Sequence, residues 1–589
     1  MNRPPKEVNR QAWTASALLR WLTAMAGLFV VTSCDTAEKS NSRAKEINGE
    51  GLAAHEVKRA RQEFHVDGSG VKVCVISDSV RYLGETRGIS KRDVAVLPGQ
   101  DGIREDKDGH KKDRGEGTAM LEIVHSIAPG AELMFATSGT EADQMAFNIK
   151  TLAKHKCKII VDDIPFHDQS PFQDDEIAQA INKVTGQGVL YITSAGNEGN
   201  THSGSSGAWE GYFRAGRTLS DGATAHVFAP GVQDSEFNAI LGECGRHEEE
   251  KPIEIDVYLY WNDPIPQIGC CYDAASLSDY QLLAFDSKGA LMKTVPADRE
   301  SKGTPEETEK PVQDVRPHTR DDKPFRHIRV NAPNKTDSNR TWLMIAKASG
   351  KADRFLHLDF TVKPGGCWLQ YQTAGAITGN HGAAAALSVA SKAALKNDSR
   401  LSSEGAFVGG PYEHVDYLSS EGPRRLFFTP GGTPYTSPQI LEKPDVTAAD
   451  GVTTDIPGFK PFFGTSAAAP QVAGIAALMW SKNPHLTAEQ IKDKLRSSAI
   501  QIEGNDTWNS LSGYGIVNAV RALRAVEPLT AEAANETSGP CCRNAGGSLN
   551  RNARGRRISW ASPTDVCLDS IVFAEFLSQD RWPLLGNSA

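Results

Sequence analysis

The run Gly464-Thr465-Ser466-Ala467-Ala468-Ala469-Pro470-Gln471-Val472-Ala473-Gly474 constrains this chain more than any other. It sets a serine between a glycine turn and an alanine-rich helix. Gly464 and Thr465 permit a sharp turn, which leaves the Ser466 hydroxyl at the helix N-terminus, where the dipole favours negative charge. The small residues Ala467, Ala468, Ala469, Ala473 and Gly474 let other elements pack close under that hydroxyl. Pro470 reads as a first-turn proline, a place where the missing N–H costs no intrahelical bond.

The 589 residues are too many for one compact core, so two or three domains are expected. A formal net charge of −9 is mild for this length and argues against nucleic acid as the main partner. Arg3, Lys6, Arg10 and Arg20 precede a short apolar run, Trp21 to Val31, that ends in Val31-Thr32-Ser33-Cys34. A basic start followed by a short apolar run reads as a targeting segment. Its end resembles a bacterial lipoprotein box with Cys34 as the lipidated residue; a plain secretory cleavage near Ser33 fits equally, and an uncleaved anchor is the remaining reading. Each places the mature chain outside the cytoplasm, secreted or membrane-anchored.

Ten cysteines are present, but their spacing gives neither a disulfide framework nor a zinc pattern. Cys74 and Cys157 lie in apolar, strand-like runs and read as buried free thiols. Cys270-Cys271 and Cys541-Cys542 are adjacent pairs, poor for metal geometry. No metal site and no cofactor are expected; calcium is left open without an assigned site.

Along the chain, residues 35–67 form a helix-prone lead-in (Leu52 to Phe64). From position 68 buried strands alternate with helices: Val71 to Asp78, Glu116 to Ile127, Ala131 to Ala136, Lys158 to Ile164, Asp174 to Lys183, and Val189 to Thr193. This order predicts an α/β fold, a parallel sheet with helices on both faces. Ligands in such sheets bind at the carboxyl ends of the strands. Asp78, Asp162, Asp163 and Asn197 all fall at or near such ends. Between 205 and 365 the pattern turns to short alternating strands, among them Ile253 to Tyr260, Ala290 to Val295 and Phe355 to Val362, which predicts an inserted β-sandwich. The charged run Ser301 to Lys323 reads as a solvated loop. The α/β pattern resumes over 366–525, and 526–589 reads as a poorly ordered tail.

In order and wording these landmarks resemble those of the subtilisin-like serine peptidases, over roughly 68–204 and 366–525: Ile76-Ser77-Asp78-Ser79, Glu116-Gly117-Thr118, Ala195-Gly196-Asn197-Glu198-Gly199, and the Ser466 motif. The inserted block weakly resembles jelly-roll-like accessory domains found beside secreted peptidases. The resemblance implies Ser466 as nucleophile, Asp78 as the acidic triad member and Asn197 as the oxyanion-hole side chain, with protein or peptide substrates.

One landmark departs from the family. Where the family reads His-Gly-Thr at a helix start, this chain reads Glu116-Gly117-Thr118. His125 lies nine positions along the same helix and faces away, and His110 sits in a polar loop. The sedolisins share the fold and use a Ser-Glu-Asp triad, with a second acid four residues after the Glu. Met120 occupies that offset here. The expectation is therefore Glu116 as general base with Asp78 as its partner, two carboxyl groups whose contact raises a pKa. Asp162 and Asp163 stand where the family carries small residues of a substrate-binding strand. They could join a carboxylate cluster or shape a polar binding edge, but capping of loops or pairing with a nearby Lys or Arg is the slightly favoured reading. The other functional reading is a weak or inactive relative that acts as a binding module.

Overall fold

A computed structural model describes residues 47–105, 113–242, 253–265, 277–292, 324–332, 340–350, 352–362, 366–394, 401–504 and 507–527. The targeting-like segment with Cys34, His110, the run 301–323, the cysteine pairs at 270–271 and 541–542, and nearly all of the tail lie outside these residues.

The chain opens with two short helices, α1 (Gly49–Ala54) and α2 (Val57–Phe64), and enters β1 (Lys72–Ser77) and β2 (Val94–Val96). There follow α3 (Glu116–Ile127), β3 (Glu132–Thr137), α4 (Ala142–Lys154), β4 (Ile159–Asp162), α5 (Glu176–Thr185) and β5 (Leu190–Ser194). Strands β1, β4 and β5 are buried almost throughout, as expected of a sheet covered on both faces.

The β block then runs through β6 (Trp209–Tyr212), β7 (Ala215–Thr218), β8 (Thr224–His226), β9 (Asn238–Gly242), β10 (Ile253–Trp261), β11 (Asp279–Phe285), β12 (Phe325–Ala332), β13 (Thr341–Ser349), β14 (Phe355–Val362) and β15 (Cys367–Leu369). Its strands form two antiparallel sheets. One has the order β12-β10-β14-β6 and the other β15-β9-β13-β8-β7, with β11 also on β13. Trp209, Val257 and Leu358 of the first sheet meet Ile240, Leu343 and Ile345 of the second in one apolar core. Of the segment Ala290 to Val295, residues 290–292 fall within the described residues, where Leu291 forms an isolated bridge to Phe285 and no strand.

The chain returns through β16 (Leu387–Ala393), a hairpin of β17 (Arg424–Phe428) and β18 (Pro434–Leu441), and β19 (Val446–Asp450). It ends in α6 (Thr465–Lys482), α7 (Ala488–Ser497) and α8 (Ala519–Ala525). The main sheet has the order β19-β16-β5-β4-β1-β3-β2, and every pair in it is parallel.

Helix α6 is buried from Thr465 to Trp480, so it is a core helix and not an amphipathic surface one. Its small residues serve close packing: a Cβ on Gly474 would stand 2.7 Å from the Ile127 Cβ of α3. The helices carrying Ser466 and Glu116 are thereby locked together. Pro470 lies in the second turn, not the first, because the helix begins at Thr465. Its missing N–H removes the i→i−4 bond that would otherwise end on the Ser466 carbonyl.

The leading helices brace the same pair. Asn48 Nδ2 donates to Ser126 Oγ at 3.0 Å and to Gln471 Oε1 at 3.1 Å, and Gln471 Nε2 donates back at 2.8 Å. His55 Nε2 accepts the Ala449 N–H at 2.9 Å, so its other nitrogen carries the proton given to the Val517 carbonyl at 2.6 Å. Burial pushes the pKa of this imidazole down to about 4.

Cys74 and Cys157 are not free thiols. They form a disulfide with Cα atoms 5.8 Å apart, inside the range that a bridge requires. Strand β1 lies beside β4, with Cys74 opposite Ile160, and Cys157 stands just before β4. Neither position shows this by itself. Among the described residues no helix is long and apolar enough to cross a membrane.

Candidate active site

The carboxyl ends of β1, β4, β5 and β19 meet the N-termini of α3 and α6. Asp78 follows β1 directly. Its carboxylate accepts the N–H of Arg114 at 3.1 Å, Gly115 at 3.0 Å and Gly117 at 3.2 Å, and also that of Ser79. Gly115 turns into α3 with φ of 80°, a conformation that favours glycine. Asp78 thus fixes how α3 begins, and with it the position of Glu116, the first helical residue.

Glu116 is half-buried. Burial, then the negative charge of Asp78, raises its pKa; Arg114 and the side chains of Ser466 and Asp163 pull the other way. The contacts with Ser466 and Asp163 are looser than full hydrogen bonds. Both Asp163 carboxyl oxygens are shielded from water and have no partner at hydrogen-bonding distance among the described residues. Catalytic contacts in an unliganded site are often long and tighten only when substrate binds. Asp163 itself is buried, and burial followed by the charge of Glu116 pushes its pKa well above the carboxylate range. Glu116 and Asp163 therefore titrate as a pair that retains a proton where ordinary carboxyl groups have lost theirs.

The two aspartates at the end of β4 form no ion pair with lysine or arginine among the described residues. Asp162 accepts the Thr193 hydroxyl at 2.8 Å, the Asn380 amide at 3.3 Å and the Tyr191 hydroxyl. Burial outweighs these bonds and lifts its pKa to about 7. Asp163 joins the carboxyl cluster instead. Parallel register explains the placement: Asp162 lies opposite Ile76, so the next residue emerges beside the end of β1 and Asp78. Only that long-range pairing brings Asp163 to Glu116. The sequence signal was the unusual acid at a position where the family is small.

Ser466 is 7 % exposed at the second position of α6. Asn197 follows β5 and is exposed, with its Oδ1 taken by the Thr465 N–H at 3.0 Å and the Thr465 hydroxyl at 3.1 Å. That double anchor fixes the amide, and Nδ2 makes no hydrogen bond among the described residues. A Cβ at Gly464 would stand 3.1 Å from Asn197 Oδ1, so glycine there preserves the approach. The Gly464 N–H donates at 2.6 Å to Asp450 at the end of β19. Burial lifts the Asp450 pKa to about 8, and its second oxygen has no hydrogen-bond partner among the described residues. Asp450 is a supporting residue that sequence reasoning missed, since only the fold brings it under the serine turn.

Of the other candidates, Met120 is fully buried in the core. His125 acts electrostatically on Asp93.

The peptidase S8 model, described as the subtilase family, matches residues 109–515. Alkaline elastase YaB of a Bacillus species is 43% identical over 76 residues, which cover 13% of this chain and 19% of that protein. Fervidolysin of Fervidobacterium pennivorans is 36% identical over 84 residues, 14% of this chain and 11% of its own. The chain thus spans about a fifth or less of the curated relatives it matches. Among solved structures, the CspB protease of Clostridium perfringens superposes with a TM-score of 0.46 at 15% identity, covering 80% of this chain and 98% of that one.

Proposed function

The chain belongs to the subtilase family, and from that premise we propose that it is a serine-type endopeptidase in which a glutamate does the work of the histidine. Ser466 Oγ attacks the peptide carbonyl and gives its proton to the Glu116 carboxylate. The developing oxyanion takes hydrogen bonds from Asn197 Nδ2 and the Ser466 backbone N–H. Glu116 then returns the proton to the leaving amine, and water repeats the sequence in reverse to free Ser466. Asp163, protonated, donates to Glu116 and orients it. Asp78 sets the helix start and, by its charge, keeps Glu116 basic enough to accept a proton.

The observation that carries this reading is the convergence of Ser466, Glu116 and Asp163, with the Asn197 amide fixed beside them. Ser466→Ala is expected to abolish both fluorophosphonate labelling and hydrolysis of a denatured protein while leaving the fold intact. Labelling of wild type is also what separates an enzyme from a binding module. A wild-type chain that never labels, or an alanine variant that hydrolyses as fast, overturns the proposal.

The block at 205–365 is taken as an inserted domain that shapes substrate access. Tyr260 of β10 donates to the His167 carbonyl beyond β4, and Asp359 of β14 acts electrostatically on Glu198, next to Asn197. Extracytoplasmic work is supported by the Cys74–Cys157 bridge, since such bonds persist in oxidising compartments. Peptide mass analysis of the processed N-terminus tests whether Cys34 carries lipid.

A further inference from the structure

Three loops distant in sequence bring His202, His414 and Glu503 together. One donor atom from each lies within 4.8 Å of the other two. His414 Nδ1 is 2.6 Å from Glu503 Oε2, and the His202 and His414 rings stand with centroids 4.4 Å apart at a tilt of 34°. We propose that these three side chains bind a divalent transition cation, zinc being the suitable probe.

The donor set fits that chemistry. Two imidazole nitrogens and one carboxylate oxygen suit zinc, copper, nickel or cobalt better than calcium or magnesium, which take oxygen ligands. Three protein ligands leave a fourth position for water. Around a tetrahedral zinc, ligand atoms stand about 3.4 Å apart, given bonds of about 2.0–2.1 Å. Binding would widen the 2.6 Å contact of His414 with Glu503 and draw His202 in, through side-chain rotations of the exposed His202 and its half-buried partners.

The loops are held in place without the three side chains. Asn200 Nδ2 donates to the carbonyls of Asp416 at 3.1 Å and Ser419 at 3.2 Å. The Thr201 N–H and hydroxyl both donate to Glu421 Oε2. The Glu503 N–H donates to the Glu413 carbonyl at 3.0 Å. Glu503 sits at φ of 62°, a left-handed conformation that few non-glycine residues adopt. Such strain persists only where the surroundings hold it, and it often marks a functional position. The sites are therefore preorganised, and the cost of assembling them on binding is small.

The consequence would fall on the loop that leaves β5. His202 is five residues beyond Asn197, so a bound ion would tie the loop that carries the oxyanion donor to the 413–421 segment. Nothing in the ligand spacing, 212 positions from His202 to His414 and 89 from His414 to Glu503, would have disclosed this in the sequence.

The test uses the full chain stripped with chelator, then titrated with zinc by calorimetry and measured for bound metal after gel filtration. One zinc per chain is expected, with a higher melting temperature that chelator reverses. His202→Ala and His414→Ala should each weaken binding on the order of 10²-fold or more and erase the zinc-dependent shift in melting. Without any variant, zinc should also protect His202 and His414 of the wild type from diethyl pyrocarbonate, read by peptide mass. A wild type that retains no zinc, variants that bind it equally well, or absence of protection overturns the proposal.

Discussion

The carboxyl edge of the main sheet and the β block treat buried acids in opposite ways. In the β block they meet cations. Asp256 is 2.7 Å from Arg329 and 2.9 Å from His327, and although burial pushes its pKa up, those bonds win and hold it at about 2. His357 is buried between Glu210 at 3.0 Å and Asp359 at 3.2 Å, and the two acids overcome its desolvation and lift it to about 9. At the carboxyl edge, Glu116, Asp162, Asp163 and Asp450 form no ion pair among the described residues, and all four are raised by burial, which outweighs the pull of Arg114 on Glu116 and of Lys392 on Asp450. The main sheet can pair its charges: at the amino end of β19, Asp445 meets Lys443 at 2.8 Å and also Arg496, and falls to about 2. The unpaired acids thus collect at the edge where chemistry is proposed. Burying an acid without a cation costs stability, so its retention there points to use.

The largest test of this contrast is Glu116→Gln. It keeps the shape and removes the base, and kcat should fall on the order of 10³-fold or more. In wild type, burial and Asp78 raise the pKa of Glu116, so kcat/KM should climb with pH through a midpoint above the ordinary glutamate value of about 4.3. A harmless substitution with a flat pH profile would break the comparison at its centre.

Asp256→Asn addresses the other side. Removing one partner of a charged network should cost about 2 kcal/mol of stability, read by denaturant unfolding, with kcat unchanged. A loss of activity without loss of stability would mean that the β block takes part in the reaction.

The smallest expected effect is on Asp163. Its folded-state pKa lies above the unfolded one, so the wild type keeps this contribution to stability in acid and loses it as pH rises through the folded value. Asp163→Asn has no proton to lose. Its melting temperature relative to wild type should therefore improve from pH 4 to pH 8, while kcat falls on the order of tenfold through poorer orientation of Glu116. A relative melting temperature that worsens with rising pH would contradict the raised pKa.

Much of this was legible in the residues because it is local. Glu116 is the first residue of α3, as the helical spacing from 116 to 127 indicated, and Asp78 and Asn197 follow the strands whose apolar runs announced them. What depends on distant pairing was not legible. Cys74 and Cys157 each look like core residues until β1 and β4 are neighbours. Asp163 and Asp450 come under the site through sheet order alone. The hairpin of β17 and β18 escaped because β18 is largely solvent-facing and carries two prolines, so it lacks an apolar signature.

The two short helices at the start bear on how the protein could be shortened. They supply Asn48, which joins α3 to α6, and His55, which satisfies the Ala449 N–H one residue before Asp450. A truncation at the first strand would strip the flank of both helices that carry the reacting groups and leave a backbone amide orphaned beside them. The smallest piece worth expressing therefore begins ahead of Asn48, and a fusion partner or tag belongs upstream of that residue.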